Sequence, residues 1–221
     1  MPARSGKFQQ KVGACRFRGE KGRRPAAGRR QELGVRPASR RVTSREGTRM
    51  NSDQRFVLAG MAGAAIFSLL FVWLGFGLLE IAAPAVSSAG ERIAYALRWD
   101  FWAGLALLVG VGRVAGERFF SNQIDGAVPA EGRRLQVDRA YIQNTTEQLL
   151  LLLVAHAGLS LVLPAASLKV IPLLVALFLV GRVTFWAGYL RSAPARAFGF
   201  ATTFYPTVAV FFYVAFRFLT G

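Results

Sequence analysis

Three arginines and a tyrosine stand at the end of an apolar run long enough to span a bilayer, in Gly181-Arg182-Val183-Thr184-Phe185-Trp186-Ala187-Gly188-Tyr189-Leu190-Arg191-Ser192-Ala193-Pro194-Ala195-Arg196. Charge at membrane depth is costly and usually serves a function. At about 100° per residue, Arg182, Phe185, Tyr189, Ser192 and Arg196 fall within roughly a quarter of a helix circumference, and Arg191 points away. The chemistry open to such a face is the holding of an anionic group by guanidinium.

A second polar face opens another apolar run. Asn144, Glu147 and Gln148 are spaced i, i+3, i+4 and share one side of a helix that continues into Leu149–Val154. Glu147 lies on the order of 9 Å into its run and Arg182 on the order of 14 Å from the end of its own, so the two charges are expected to pair across neighbouring helices. Read from spacing alone, this face is either a polar clamp between helices or part of a ligand site. Arg113 is a third basic candidate for ligand contact, with pairing to Glu117 as the alternative.

The remaining candidates have quieter readings. His156 is the single histidine and Cys15 the single cysteine, so neither a multi-His metal site, nor a thiolate cluster, nor an intramolecular disulfide can form. A hydrogen-bonded packing role is expected of His156. Asp100 and Arg98 flank Trp99, as an interfacial anchor would. Gly112 and Gly116 make a step that suits close helix approach.

The elements that must position these residues are five apolar runs at about 56–79, 93–114, 141–163, 170–190 and 198–219, each near the roughly 20 residues that cross a hydrocarbon core. Breakers separate them: Pro84 with Ser87, Ser88 and Gly90; Gly126, Pro129 and Gly132; Pro164; Pro194. The expected fold is therefore an all-α integral membrane protein with five transmembrane helices. Arg118, Arg133, Arg134, Arg139, Arg191 and Arg196 share one side with the basic N-terminal flank, which by the positive-inside rule makes the N-terminus cytoplasmic. A transporter is disfavoured, because no internal repeat and no paired broken helices occur.

Composition divides the chain in the same way. Of 221 residues 53% are hydrophobic and 18% charged, yet the formal net charge is +16. Residues 1–50 hold fifteen Lys and Arg against three Glu, a net +12, with few large apolar side chains. This stretch is expected to be disordered. It reads as a polybasic arm for anionic lipid or as the product of a start placed too far upstream, with Met50 as the natural start. A nucleic-acid partner is not expected, since no aromatic stacking pattern accompanies the charge.

Arg139-Ala140 followed by Asn144-Thr145-Thr146-Glu147, and then Gly188-Tyr189-Leu190-Arg191-Ser192-Ala193-Pro194-Ala195-Arg196, resembles the MAPEG family, the membrane-associated proteins of eicosanoid and glutathione metabolism. On that resemblance, residues 93–221 form a MAPEG-like four-helix bundle and residues 51–92 an additional transmembrane helix and loop. The resemblance implies a homotrimer acting as a glutathione transferase or peroxidase on lipophilic electrophiles. Glutathione is then the co-substrate, held by Arg113, Asn144, Glu147, Gln148, Arg182 and Tyr189. Arg196 would be catalytic, since a nearby guanidinium stabilises a thiolate. Gln148 and Phe185 stand where the family's enzymes carry tyrosines. That departure supports a second reading: a non-catalytic MAPEG-like protein that binds a lipid or another lipophilic small molecule, or regulates a partner.

Overall fold

A computed structural model describes residues 50–121 and 132–221. The basic extension before Met50 and the breakers Gly126 and Pro129 lie outside the described residues. Five long helices form: α1 (Ser52–Leu78), α2 (Ala89–Phe120), α3 (Arg133–Val162), α4 (Val170–Arg191) and α5 (Ala197–Thr220). Short 3₁₀ turns at Ala165–Ser167 and Pro194–Arg196 lead into α4 and α5. All five helices are long and apolar enough to cross a membrane, and no strand occurs among the described residues.

Local chemistry sets the helix starts. The Gln54 side chain accepts from the Asn51 amide at 2.9 Å at the head of α1. Ser88 Oγ accepts from the Glu91 amide at 3.2 Å, while the Glu91 carboxylate accepts from the Ser87 and Ser88 amides at 2.7 and 3.2 Å. These reciprocal bonds satisfy donors that the first helical turn leaves free.

Two helices outrun their apolar segments. The α2 helix extends to Phe120 and α3 begins at Arg133, eight residues before the expected Tyr141. In α3 the reason is a stripe at alternating spacings of three and four: Asp138, Tyr141, Thr145, Gln148, Leu152, Ala155 and Leu159 are all buried. The stripe puts polar residues inside at one end and apolar ones inside at the other. A hydropathy window sees only the apolar end.

The α4 helix is the centre of the bundle: 56% of its apolar window is buried, against 11% for α1. It packs on α5, α2, α3 and α1. Backbones of α4 and α5 approach so closely that a Cβ on Gly199 would strike the Phe185 backbone, and one on Gly188 would strike the Ala195 carbonyl in the turn before α5. On α2 the tight position is Gly110, where a Cβ would meet Tyr141 Cε1 at 2.8 Å. Gly112 and Gly116 have nothing within 4 Å, so the close approach falls two residues before Gly112, on the opposite face of α2. Cross-helix contacts such as Asp100 with His156, Arg113 with Asp138, and Asn144 with Arg182 make α2, α3 and α4 successively antiparallel. The start of α3 and the ends of α2 and α4 therefore meet at one end of the bundle.

Candidate ligand groove

At that end, α2, α3 and α4 enclose a groove of about 280 Å³. Leu105, Val109, Leu179 and Val183 supply apolar wall, and Arg113, Asp138, Tyr141, Arg182 and Trp186 supply its polar groups. Arg113 is half-exposed and pairs with the buried Asp138 carboxylate at 3.2 Å. The other Asp138 oxygen accepts from Trp186 Nε1 at 2.8 Å, and the Arg113 guanidinium lies 4.6 Å from the Trp186 ring centroid. Three helices are thus tied at one carboxylate. Arg113 pairs with Asp138 rather than with Glu117, because Asp138 faces it from the neighbouring helix.

Arg182 is wholly buried. It donates to Asn144 Oδ1 at 2.7 Å, to Thr203 Oγ1 at 2.5 Å and to the Gly199 carbonyl at 3.4 Å. Its plane lies against the rings of Phe178 and Phe185, 5.5 and 4.9 Å from their centroids. Its Nε has no hydrogen-bond partner. Among the described residues the ion pairs are Arg113 with Asp138 and Asp100 with His156, so no carboxylate neutralises Arg182.

The expected pair of Glu147 with Arg182 does not form. Glu147 is exposed and accepts from Gln143 Nε2 at 2.7 Å. Glu147 lies outside the buried stripe that brings α3 onto α4, whereas Asn144 sits at its edge and reaches the guanidinium. Gln148 is buried within the stripe and its Oε1 has no partner.

Tyr189 and Arg196 meet by another route than a shared helix face. Helix α4 ends at Arg191, Ser192 turns extended, and Pro194 opens a 3₁₀ turn, so the projection carried through Ser192 and Arg196 fails there. The turn nevertheless folds Arg196 back over Tyr189, with the guanidinium 4.5 Å from the ring centroid. Neither residue lines the groove. Of the seven expected site residues, Arg113 and Arg182 share the groove, Asn144 touches it through Arg182, and Glu147, Gln148, Tyr189 and Arg196 lie apart from it.

Sequence reasoning missed Asp138, Tyr141 and Trp186. The available signals were the three-four spacing that runs from Asp138 through Tyr141, and the position of Trp186 one turn beyond Arg182. Tyr141 donates to the Ala106 carbonyl at 3.0 Å and so pins α3 to α2 beneath the groove. Asp100 is likewise no interfacial anchor. It is 3% exposed and bonds through Oδ1 to His156 Nδ1 at 2.5 Å, which gives His156 its expected hydrogen-bonded role in the core.

The MAPEG family model matches residues 62–216, from within α1 to near the end of α5. The chain belongs to the MAPEG family. The family segment takes in most of α1 as well as α2 to α5. Curated relatives are Transmembrane protein 79 of Mus musculus, 26% identical over 69% of this chain, and Transmembrane protein 79 of Bos taurus, 25% identical over the same share. The matched region spans 39% and 38% of the length of those relatives. No solved structure gives a significant match.

Proposed function

We propose that this multi-pass MAPEG protein binds an anionic ligand with an apolar part, of the kind a glutathione conjugate represents, in the α2–α3–α4 groove, and holds it without turnover. The supporting observation is Arg182, a buried guanidinium among the residues that line the groove, with no carboxylate partner among the described residues and no hydrogen-bond partner at its Nε. A cation at that depth without a counter-charge is costly, and a ligand carboxylate supplies one. Arg113 adds a second cation at the open side, and Asp138 leaves the groove with a net charge of +1. The apolar wall suits the other half of the ligand, which can enter from the bilayer. A homotrimer belongs to the same proposal: the Glu147–Gln143 pair is an exposed polar surface far inside α3 that a neighbouring subunit would cover.

A second reading is glutathione-dependent turnover of a lipophilic electrophile. The contact of Arg196 with Tyr189 favours it, because the arginine expected to hold a thiolate stands on a phenol expected in the same pocket. Arg196 does not line the groove, so such turnover would take place outside it. Calorimetric titration of the purified full chain with S-hexylglutathione tests the first reading. Arg113→Gln should weaken binding about tenfold, the scale of one charged hydrogen bond. An assay with glutathione and an aryl halide separates the second, since turnover that disappears in Arg196→Ala would replace holding with catalysis. Absence of both binding and turnover would refute both.

A further inference from the structure

A second groove, of about 770 Å³, lies between α1, α4 and α5, away from the site just described. Its floor runs along α1 from Ala65 through Ser68, Val72 and Trp73 to Gly77, and Val170 and Pro206 close it from α4 and α5. Twelve residues of helix correspond to roughly 18 Å, close to one leaflet of a hydrocarbon core about 30 Å thick. The wall is almost wholly apolar, which suits a hydrocarbon chain.

One end of this groove is charged. Lys169, just before α4, donates to the Phe76 carbonyl at 3.0 Å, and its ammonium lies 4.2 Å from the Phe76 ring centroid. Phe76 is itself part of the groove. The two contacts fix the ammonium at the mouth, and no carboxylate pairs with it among the described residues. An ammonium carries three donors, so two remain for an acceptor beyond Phe76. In the depth of the groove Ser68 is 6% exposed, and its Oγ has no partner.

We propose that this groove is a specific site for an anionic lipid of the leaflet opposite the N-terminal flank, with an acyl chain along α1 and the acidic headgroup on Lys169. Charge complementarity selects the headgroup, and groove length selects a chain that reaches about the middle of the bilayer. The site depends on α1, whose remaining surface is largely exposed. The occupant is an acidic phospholipid of that leaflet, and a free fatty acid is an outcome the test distinguishes.

The full-length protein, purified in a zwitterionic detergent, is exposed to equal amounts of dioleoyl phosphatidylglycerol, dioleoyl phosphatidylcholine and oleate, and retained lipid is read by native mass spectrometry. The wild type is expected to retain an acidic lipid about fivefold over phosphatidylcholine, the gain expected from one basic group at an anionic surface. Retention of phosphatidylglycerol supports the proposal, and retention of oleate alone would overturn it in favour of a free acid. Lys169→Gln should abolish the preference. Gly77→Trp should reduce retention of every lipid without unfolding the chain, because a Cβ at Gly77 has nothing within 4 Å. Equal retention of acidic and zwitterionic lipid by the wild type, or a preference untouched by Lys169→Gln, would overturn the proposal. Neither variant alters Arg113 or Arg182, so the outcome is separate from that of the α2–α3–α4 groove.

Discussion

Arg182 donates to Asn144 Oδ1 across the α3–α4 seam at 2.7 Å, and this neutral acceptor occupies the place where an acidic partner was expected. Both terminal nitrogens of the guanidinium have acceptors, but its Nε and its charge are left without a partner among the described residues. Asn144, Thr203 and the Gly199 carbonyl orient it, and the remaining imbalance is what the proposed anion would offset.

Substitution of Arg182 separates orientation from charge. Arg182→Lys keeps the cation but replaces the planar fork, whose two terminal nitrogens serve Asn144 and Thr203 separately, with one compact ammonium. Leaving one of those partners unsatisfied should cost about 1–3 kcal/mol, read as a lower melting temperature of the detergent-solubilised protein. Arg182→Met should lose ligand protection entirely.

The Asp100–His156 pair makes a different claim. Both side chains are buried, and Asp100 Oδ2 has no partner. Asp100→Ala leaves a polar imidazole in the core and should destabilise by about 3–5 kcal/mol. Replacing both residues by leucine should recover much of that loss, because two apolar side chains leave nothing unpaired. Thermal melts of the two variants, compared side by side, check this. A double variant as unstable as the single one would show that the pair does more than pack.

Glycine positions give a graded test of the seam between α4 and α5. Gly199→Ala would drive a Cβ into the Phe185 backbone, which cannot yield as a side chain can. The cost should exceed the roughly 1–3 kcal/mol typical of overpacked cores. Gly63→Ala, with nothing within 4 Å, should be neutral or slightly stabilising. Expression level and melting temperature of the two variants should diverge accordingly.

Around Asp138 the expected effect is smaller. Arg113 is 40% exposed on its side chain, so solvent screens its pair with Asp138. A double-mutant cycle of Arg113→Leu with Asp138→Leu should return a coupling of about 0.5–1 kcal/mol. The single Asp138→Leu change should cost more than the single Arg113→Leu change, since it also strips Trp186 Nε1 of its acceptor.

The crossings were legible in the sequence because an 18-residue apolar window is a strong signal, and all five helices lie where the windows fall. Their ends were not. Helix α3 starts eight residues early because Leu135, Val137 and Asp138 are buried against their neighbours, and burial of a polar turn carries no hydropathy signal. The site was legible in part. Asn144 and Arg182 were singled out as polar groups at membrane depth, and they do meet. Glu147 was assigned to Arg182 on depth and charge, but side-chain direction decides contact, and only the three-four stripe from Asp138 to Leu159 shows which face of α3 turns inward. Asp100 beside Trp99 and Arg98 suggests an interfacial anchor. Its burial depends on His156, 56 residues further along the chain, and no local pattern links the two.

The central claim, that Arg182 and Arg113 draw an anion into the α2–α3–α4 groove, is tested most directly by titrating the purified protein with S-hexylglutathione and with its dimethyl ester. The two share the apolar chain and differ in the carboxylates. The account predicts saturable binding of the acid, about tenfold weaker in Arg113→Gln, and no measurable binding of the ester. Equal affinity for acid and ester, or binding of the acid undiminished in Arg113→Gln, would contradict it.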